Sequence, residues 1–156
     1  MIFFFLKKNV NRNYITVTIV NIYLLPTGSC DGYNNITEPW RNRDFKSNSF
    51  PGFPKNDTTL VNSWWRFTGI GGDRVIASCL GSNLGGTKQV LYIDMIYPTN
   101  ESLTEVTGSA YSLYSGSCVN IKEKVSVAYC PGGFYVYKPL THRRSDMGYV
   151  TCEYFG

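Results

Sequence analysis

The sequence predicts a mostly β, small, irregular, disulfide-stapled extracellular domain with short strands and long loops. Three observations carry that expectation. Aromatic residues are abundant, with 12 Tyr, 9 Phe and 3 Trp, while alanine stands only at Ala77, Ala110 and Ala128. That balance disfavours helices and favours pleated, half-buried surfaces. The 5 cysteines are far apart, as long-range bridges require. Three N-x-[ST] sequons begin at Asn35, Asn56 and Asn100, all in polar, turn-rich stretches where a glycan points into water.

A chain of 156 residues holds one domain. Residues 1–29 precede it. Met1 to Asn13 is basic and rich in Phe; Tyr14 to Leu25 is mostly apolar and β-branched; Pro26-Thr27-Gly28-Ser29 breaks the run. This layout fits a secretory signal, a mis-started leader or an N-terminal strand. An apolar run of about 12 residues is too short to span a bilayer, which takes about 20. The folded domain is expected over 30–156.

Within it, residues 42–58 read as one long loop, because Pro51, Gly52 and Pro54 forbid a regular element. Ser63 to Ile70 reads as a strand ending at Gly71-Gly72. Val75 to Cys79 is a short extended run before the glycine-rich turn at Gly81 to Gly86. Val90 to Tyr97 is the strongest apolar run and stops at Pro98. Lys124 to Tyr129 alternates and turns through Pro131-Gly132-Gly133 into Phe134 to Lys138, a hairpin pattern. Tyr149 to Phe155 reads as a last strand. No segment keeps helical periodicity over three turns.

The formal charge of +4 comes mostly from Lys7, Lys8 and Arg12, with no acid before residue 30. The remaining charges nearly balance, so there is no basic face of the kind nucleic acids need. No cofactor and no metal site are expected. The cysteines lack C-x-x-C spacing, His142 is the sole histidine, and Asp57, Asp73 and Asp94 form no calcium loop. His142 sits in a polar stretch that suits a solvated imidazole better than a nucleophile pair. Gly69-Ile70-Gly71-Gly72 and Gly81 to Gly86 neither open a helix nor end in Gly-Lys-Ser/Thr, so they are not phosphate loops. No catalytic constellation emerges. The remaining candidates for recognition are Trp64, Trp65, Tyr135 and Tyr137, which suit sugar stacking or anchoring a partner, or core packing. Strand alternation puts Trp64 and Trp65 on opposite faces, one expected buried and the other more exposed.

The motifs Glu38-Pro39-Trp40-Arg41, Trp65-Arg66-Phe67-x-Gly69, Cys79, Gly86-Thr87, Tyr97-Pro98, Ser115-Gly116-Ser117-Cys118 and Cys130-Pro131-Gly132-Gly133-Phe134-Tyr135-Val136-Tyr137 occur in a fixed order. With these the chain resembles the uromodulin-type eight-cysteine domain family over roughly residues 30–153. It departs from the family where cysteines are replaced: at Pro54-Lys55-Asn56-Asp57, at Gly85, at Ala110-Tyr111, at Val119 and shortly before Cys152. The resemblance implies bridges Cys30–Cys130 and Cys79–Cys118. It leaves Cys152 unpaired, because its family partner position is Gly85, and so open to linking two chains. It also implies a non-catalytic, secreted or cell-surface glycoprotein module that binds an extracellular protein or a microbial adhesin, with EGF-like neighbours. A spacer of a matrix or filament protein and a lectin-like module are the alternatives. No sequon follows Tyr137, where some family members carry a glycan; Lys138 stands there.

Overall fold

The computed structural model describes residues 3–8, 15–20, 28–46, 52, 54–99, 105–114 and 117–153. Strands β1 (Phe3–Lys8) and β2 (Ile15–Val20) pair antiparallel as a separate two-stranded sheet. The domain itself is built on a seven-stranded sheet. Its strands are β3 (Tyr33–Ile36), β4 (Trp64–Phe67), β6 (Gln89–Ile93), β7 (Val106–Tyr114), β8 (Ser117–Cys130), β9 (Phe134–Pro139) and β10 (Met147–Tyr149), in the order β10-β6-β7-β8-β9-β4-β3. The outermost pair on each side, β10/β6 and β3/β4, is parallel, and the interior pairs are antiparallel. A further pair, β5 (Arg74–Val75) with β11 (Thr151–Cys152), lies outside that sheet.

The β8–β9 hairpin forms where the alternation and the Pro-Gly-Gly turn place it, with Cys130 opposite Phe134. Gly132 and Gly133 take φ of 94° and 79°, and the Gly133 N–H donates to the Cys130 carbonyl at 3.1 Å. Those angles lie in the left-handed region, where a side chain is strained. Other elements are shorter than the sequence pattern suggests. The strand expected over Ser63–Ile70 ends at Phe67, because Gly69–Gly71 curls into a 3₁₀ turn at a positive-φ Gly69. The run expected over Val90–Tyr97 pairs over Gln89–Ile93. The last expected strand, Tyr149 to Phe155, splits into β10 and β11, which join different sheets; Tyr154 and Phe155 lie outside the described residues.

One face of the seven-stranded sheet carries the main core. Phe67, Val75, Leu91, Ile93, Ala110, Val125, Val127, Tyr137, Met147 and Tyr149 are buried there. Tyrosines do much of the filling. The Tyr97 ring meets Tyr135 at 5.1 Å and Tyr137 at 6.3 Å, both edge-on. Their hydroxyls are used: Tyr97 donates to the Val75 carbonyl, Tyr135 donates to the Pro98 carbonyl, and the Val75 amide donates to the Tyr137 oxygen. This is how an apolar core tolerates polar tips.

Burial raises the ionisation points of Tyr97, Tyr137 and Tyr149 far above the ordinary phenol range. The neutral phenols therefore favour the folded state. Their contribution is complete below the unfolded value of about 10 and is lost as pH rises above it. With three such groups the stability should fall by about 4 kcal/mol per pH unit above pH 10. Tyrosinate absorbance during alkaline titration should then include a cooperative step that coincides with unfolding. Absence of any such step would show these three rings to be solvated.

Candidate functional site

Two bridges staple the domain. Cys30 and Cys130 join with Cα atoms 5.5 Å apart across 100 residues, and Cys79 and Cys118 join with Cα atoms 5.9 Å apart. The first binds the start of the domain across the back of the sheet. There Ala128, Cys130 and Val136 are buried beneath Cys30, Tyr33, Trp64 and Phe134. The second sits over a small cluster of Ile76, Val90, Tyr92 and Val150, and the Tyr92 hydroxyl donates to the Cys118 carbonyl at 2.8 Å.

The back of the sheet presents alternating rings and cations. Trp64 and Arg66 lie on one side of β4, and Phe134 and Lys138 on the matching side of β9. The Arg66 guanidinium sits 3.9 Å from the centre of the Phe134 ring, and the Lys138 ammonium 5.8 Å from Trp64. Tyr33 meets Phe134 edge-on at 5.5 Å. All five side chains are partly exposed. Cation–π contacts at partly exposed positions contribute about 0.5–1 kcal/mol each and fix long side chains in place.

The four aromatic candidates thus divide. Trp64 stays half-exposed on this back face. Trp65 points to the opposite face, packs on the main core and donates its indole N–H to the Leu60 carbonyl at 2.9 Å. The two tryptophans do face opposite sides, yet both are half-buried rather than one buried and one exposed. Trp64 lies against the cluster of Ala128, Cys130 and Val136, and Trp65 against the main core, so each ring is covered in part. Tyr135 and Tyr137 are core residues, 9% and 1% exposed, so neither offers its ring to a partner. Their i, i+2 spacing puts both on the main-core side of β9.

The sequence signal Glu38-Pro39-Trp40-Arg41 resolves into an internal knot that residue-type reasoning missed. Arg41 is buried in a 3₁₀ turn at Pro39–Arg41. It donates to both carboxylate oxygens of buried Asp57, at 2.8 and 2.6 Å, and to the Tyr149 carbonyl at 3.1 Å. Its Nε donates to Glu38 at 2.8 Å, and its guanidinium lies 4.4 Å from the Trp40 ring. Asp57 also accepts from the Tyr149 amide at 2.6 Å. Burial opposes the Arg41 charge, but the carboxylates of Asp57 and Glu38 outweigh it and hold the guanidinium above its ordinary value. The knot ties both ends of the long 42–58 loop to the core strand β10.

Cys152 is the free cysteine and is half-buried. It borders a cleft with Asn42, Arg43, Asp44 and Glu153. Gly85, where the family would place its partner, takes a φ of 57°, and the space a Cβ would fill there is held by the Val150 side chain. Burial pushes the Cys152 thiol up; nearby Arg43 and Arg74 pull it down, and Asp73 adds to the rise. A neutral thiol is a poor nucleophile. Iodoacetamide should therefore label Cys152 several-fold more slowly at neutral pH than an unstructured cysteine, and speed up only as pH passes the ordinary thiol value of about 8.5. Timed mass spectrometry reads this directly; labelling at the unstructured rate would contradict the burial.

Asn35 and Asn56 are both exposed. Asn35 lies on β3, the outer strand of the sheet, in register with Arg66. Asn56 accepts from the Thr58 hydroxyl at 2.6 Å and stands beside the buried Asp57. Asn100 lies outside the described residues. Among the described residues no group of His, Cys, Asp and Glu is placed to hold a metal, and no helix is long and apolar enough to cross a membrane.

A family model for the uromodulin-like eight-cysteine domain matches residues 65–152. The chain belongs to this uromodulin-like domain family. Uromodulin of Mus musculus is 27% identical over 123 residues, which are 78% of this chain and 18% of that protein. The pancreatic secretory granule membrane major glycoprotein GP2 of Homo sapiens is 31% identical over 110 residues, 70% of this chain and 19% of that protein. Its Canis lupus familiaris counterpart is 31% identical over 123 residues, 78% of this chain and 23% of that protein. The chain thus spans about a fifth of the length of the relatives it matches. The segment matched in this uromodulin-like domain starts at Trp65 on β4 and ends at Cys152 on β11.

Proposed function

We propose that this uromodulin-like domain is a non-catalytic module of a secreted or cell-surface glycoprotein, and that it binds an extracellular protein or a microbial adhesin. The observation that carries the reading is the pairing of exposed sequon asparagines with a disulfide-fixed back face. Asn35 stands one strand from Arg66, on the sheet that Cys30–Cys130 holds in place. A rigid surface of this kind binds without first ordering itself. Long-range disulfides persist in oxidising compartments, which suits an extracellular setting. The names of the human and canine relatives, each a membrane glycoprotein, support the same location and the glycosylation. Residues 1–29 are read as a secretory signal or a mis-predicted leader ahead of the domain.

Expression in a secretory cell line tests the proposal. The protein should reach the medium as a monomer on a non-reducing gel, with glycan at one or more of Asn35, Asn56 and Asn100 that an endoglycosidase removes. Cytosolic retention without glycan would contradict it. A covalent dimer that collapses on reduction would favour the spacer alternative instead, with Cys152 as the link.

A further inference from the structure

At the tip of the β8–β9 hairpin a shallow cleft of about 110 Å³ is lined by Arg66, Asp73, Arg74, Gly132, Gly133, Phe134 and Tyr135. We infer that this cleft binds the anionic group of an acidic sugar, a carboxylate or sulfate at the end of a glycan chain. The inference rests on the binding-module reading and adds a ligand class to it.

Two guanidiniums converge on the cleft from different elements, Arg66 from β4 and Arg74 from β5. Each sits over a ring: Arg66 3.9 Å from the centre of Phe134, Arg74 4.6 Å from Tyr135 and 5.1 Å from Tyr97. A ring holds the cation in place, whereas a carboxylate or sulfate meets guanidinium N–H donors in their plane. Among the described residues no carboxylate pairs with Arg66.

The floor is built to stay open. Gly132 and Gly133 are exposed, adopt positive φ and present no side chain, so a ligand reaches the backbone. The neighbouring Cys130–Cys30 bridge fixes the hairpin to the domain, so the charges are positioned before the ligand arrives. The volume fits the charged end of a ligand and no more. Two guanidiniums in so small a cleft match one anionic group at the end of a glycan chain better than the run of charges on an acidic peptide.

The experiment is ¹H–¹⁵N NMR titration of the secreted protein, pretreated with sialidase so that its own glycans do not compete. The probes are the methyl glycoside of N-acetylneuraminic acid, a sulfated N-acetylglucosamine, neutral N-acetylglucosamine and an oligoglutamate peptide. The expected result is saturable shifts at the Gly132 and Gly133 amides with the carboxylate sugar, the sulfated sugar or both. Which of the two binds tells the anion; the neutral sugar should leave the amides unmoved. Arg66→Gln, on the partly exposed back face, should weaken binding by about tenfold or more, from the loss of a charged hydrogen bond. Arg74→Gln provides a second variant, and the Trp65 indole resonance verifies that each variant is folded. Equal binding of the neutral sugar, tighter binding of the peptide, unchanged affinity in folded Arg66→Gln, or no shift with either acidic sugar would each overturn the inference. A protein that is secreted and glycosylated but fails this titration keeps the module reading and loses the cleft.

Discussion

Replacing Cys30 and Cys130 together by alanine is expected to remove about 4–5 kcal/mol of stability, the chain-entropy value for a loop of about 100 residues. The bridge spans 100 residues, and the cysteine it anchors on β8 is fully buried beneath the back-face cluster. Small domains are stable by about 5–15 kcal/mol, so the variant should sit near the edge of folding. Urea denaturation followed by tryptophan fluorescence measures the loss, and Trp64, which covers the same cluster, should become more solvated. A change below about 1 kcal/mol would mean that the bridge adds nothing to the fold.

Asp57→Ala is expected to cost about 3–5 kcal/mol, the range for removing one partner of a buried ion pair. The substitution leaves Arg41 buried without the two hydrogen bonds that Asp57 accepts from it, and strips the Tyr149 amide of its acceptor. The sequon at Asn56 survives, since its middle residue is free to vary, so any loss is not a glycosylation effect. An apolar pair in place of both, Arg41→Met with Asp57→Leu, should recover much of the stability, because replacing a buried pair as a unit is far milder than orphaning a charge. Thermal unfolding of wild type and the two variants settles it. Equal stability of wild type and Asp57→Ala would show that the pair does not hold the loop.

The parts of the fold that follow from local pattern were legible in the sequence. The β8–β9 hairpin is written in its alternation and its glycines, because only those residues make that turn. Strand β7 was not legible. The small residues Gly108-Ser109-Ala110 interrupt the β-branched start at Val106-Thr107 and have little strand preference of their own; pairing along β8 and β6 makes the stretch a strand. A side chain at Gly108 would make the Met95 thioether shift aside. Strand β3, Tyr33-Asn34-Asn35-Ile36, was hidden for the same reason: two asparagines read as a turn, and only pairing with β4 extends them.

At the site, residue type misled in both directions. Tyr135 and Tyr137 carry hydroxyls that suggest a surface, but backbone carbonyls and amides of distant segments satisfy them inside the core. Arg41 reads as a solvated charge, but its partner Asp57 lies 16 residues away at the far end of the 42–58 stretch, and no local pattern announces the pair. The cleft at the hairpin tip joins Arg66 to Arg74 only because β4 and β5 end beside the same turn.

The measurement that tests the account most directly is intact mass with disulfide mapping of the secreted protein, before and after glycosidase. The expected result is bridges Cys30–Cys130 and Cys79–Cys118, a Cys152 thiol, and a mass decrease on deglycosylation. Five reduced cysteines without glycan, or Cys152 bridged within the monomer, would contradict it.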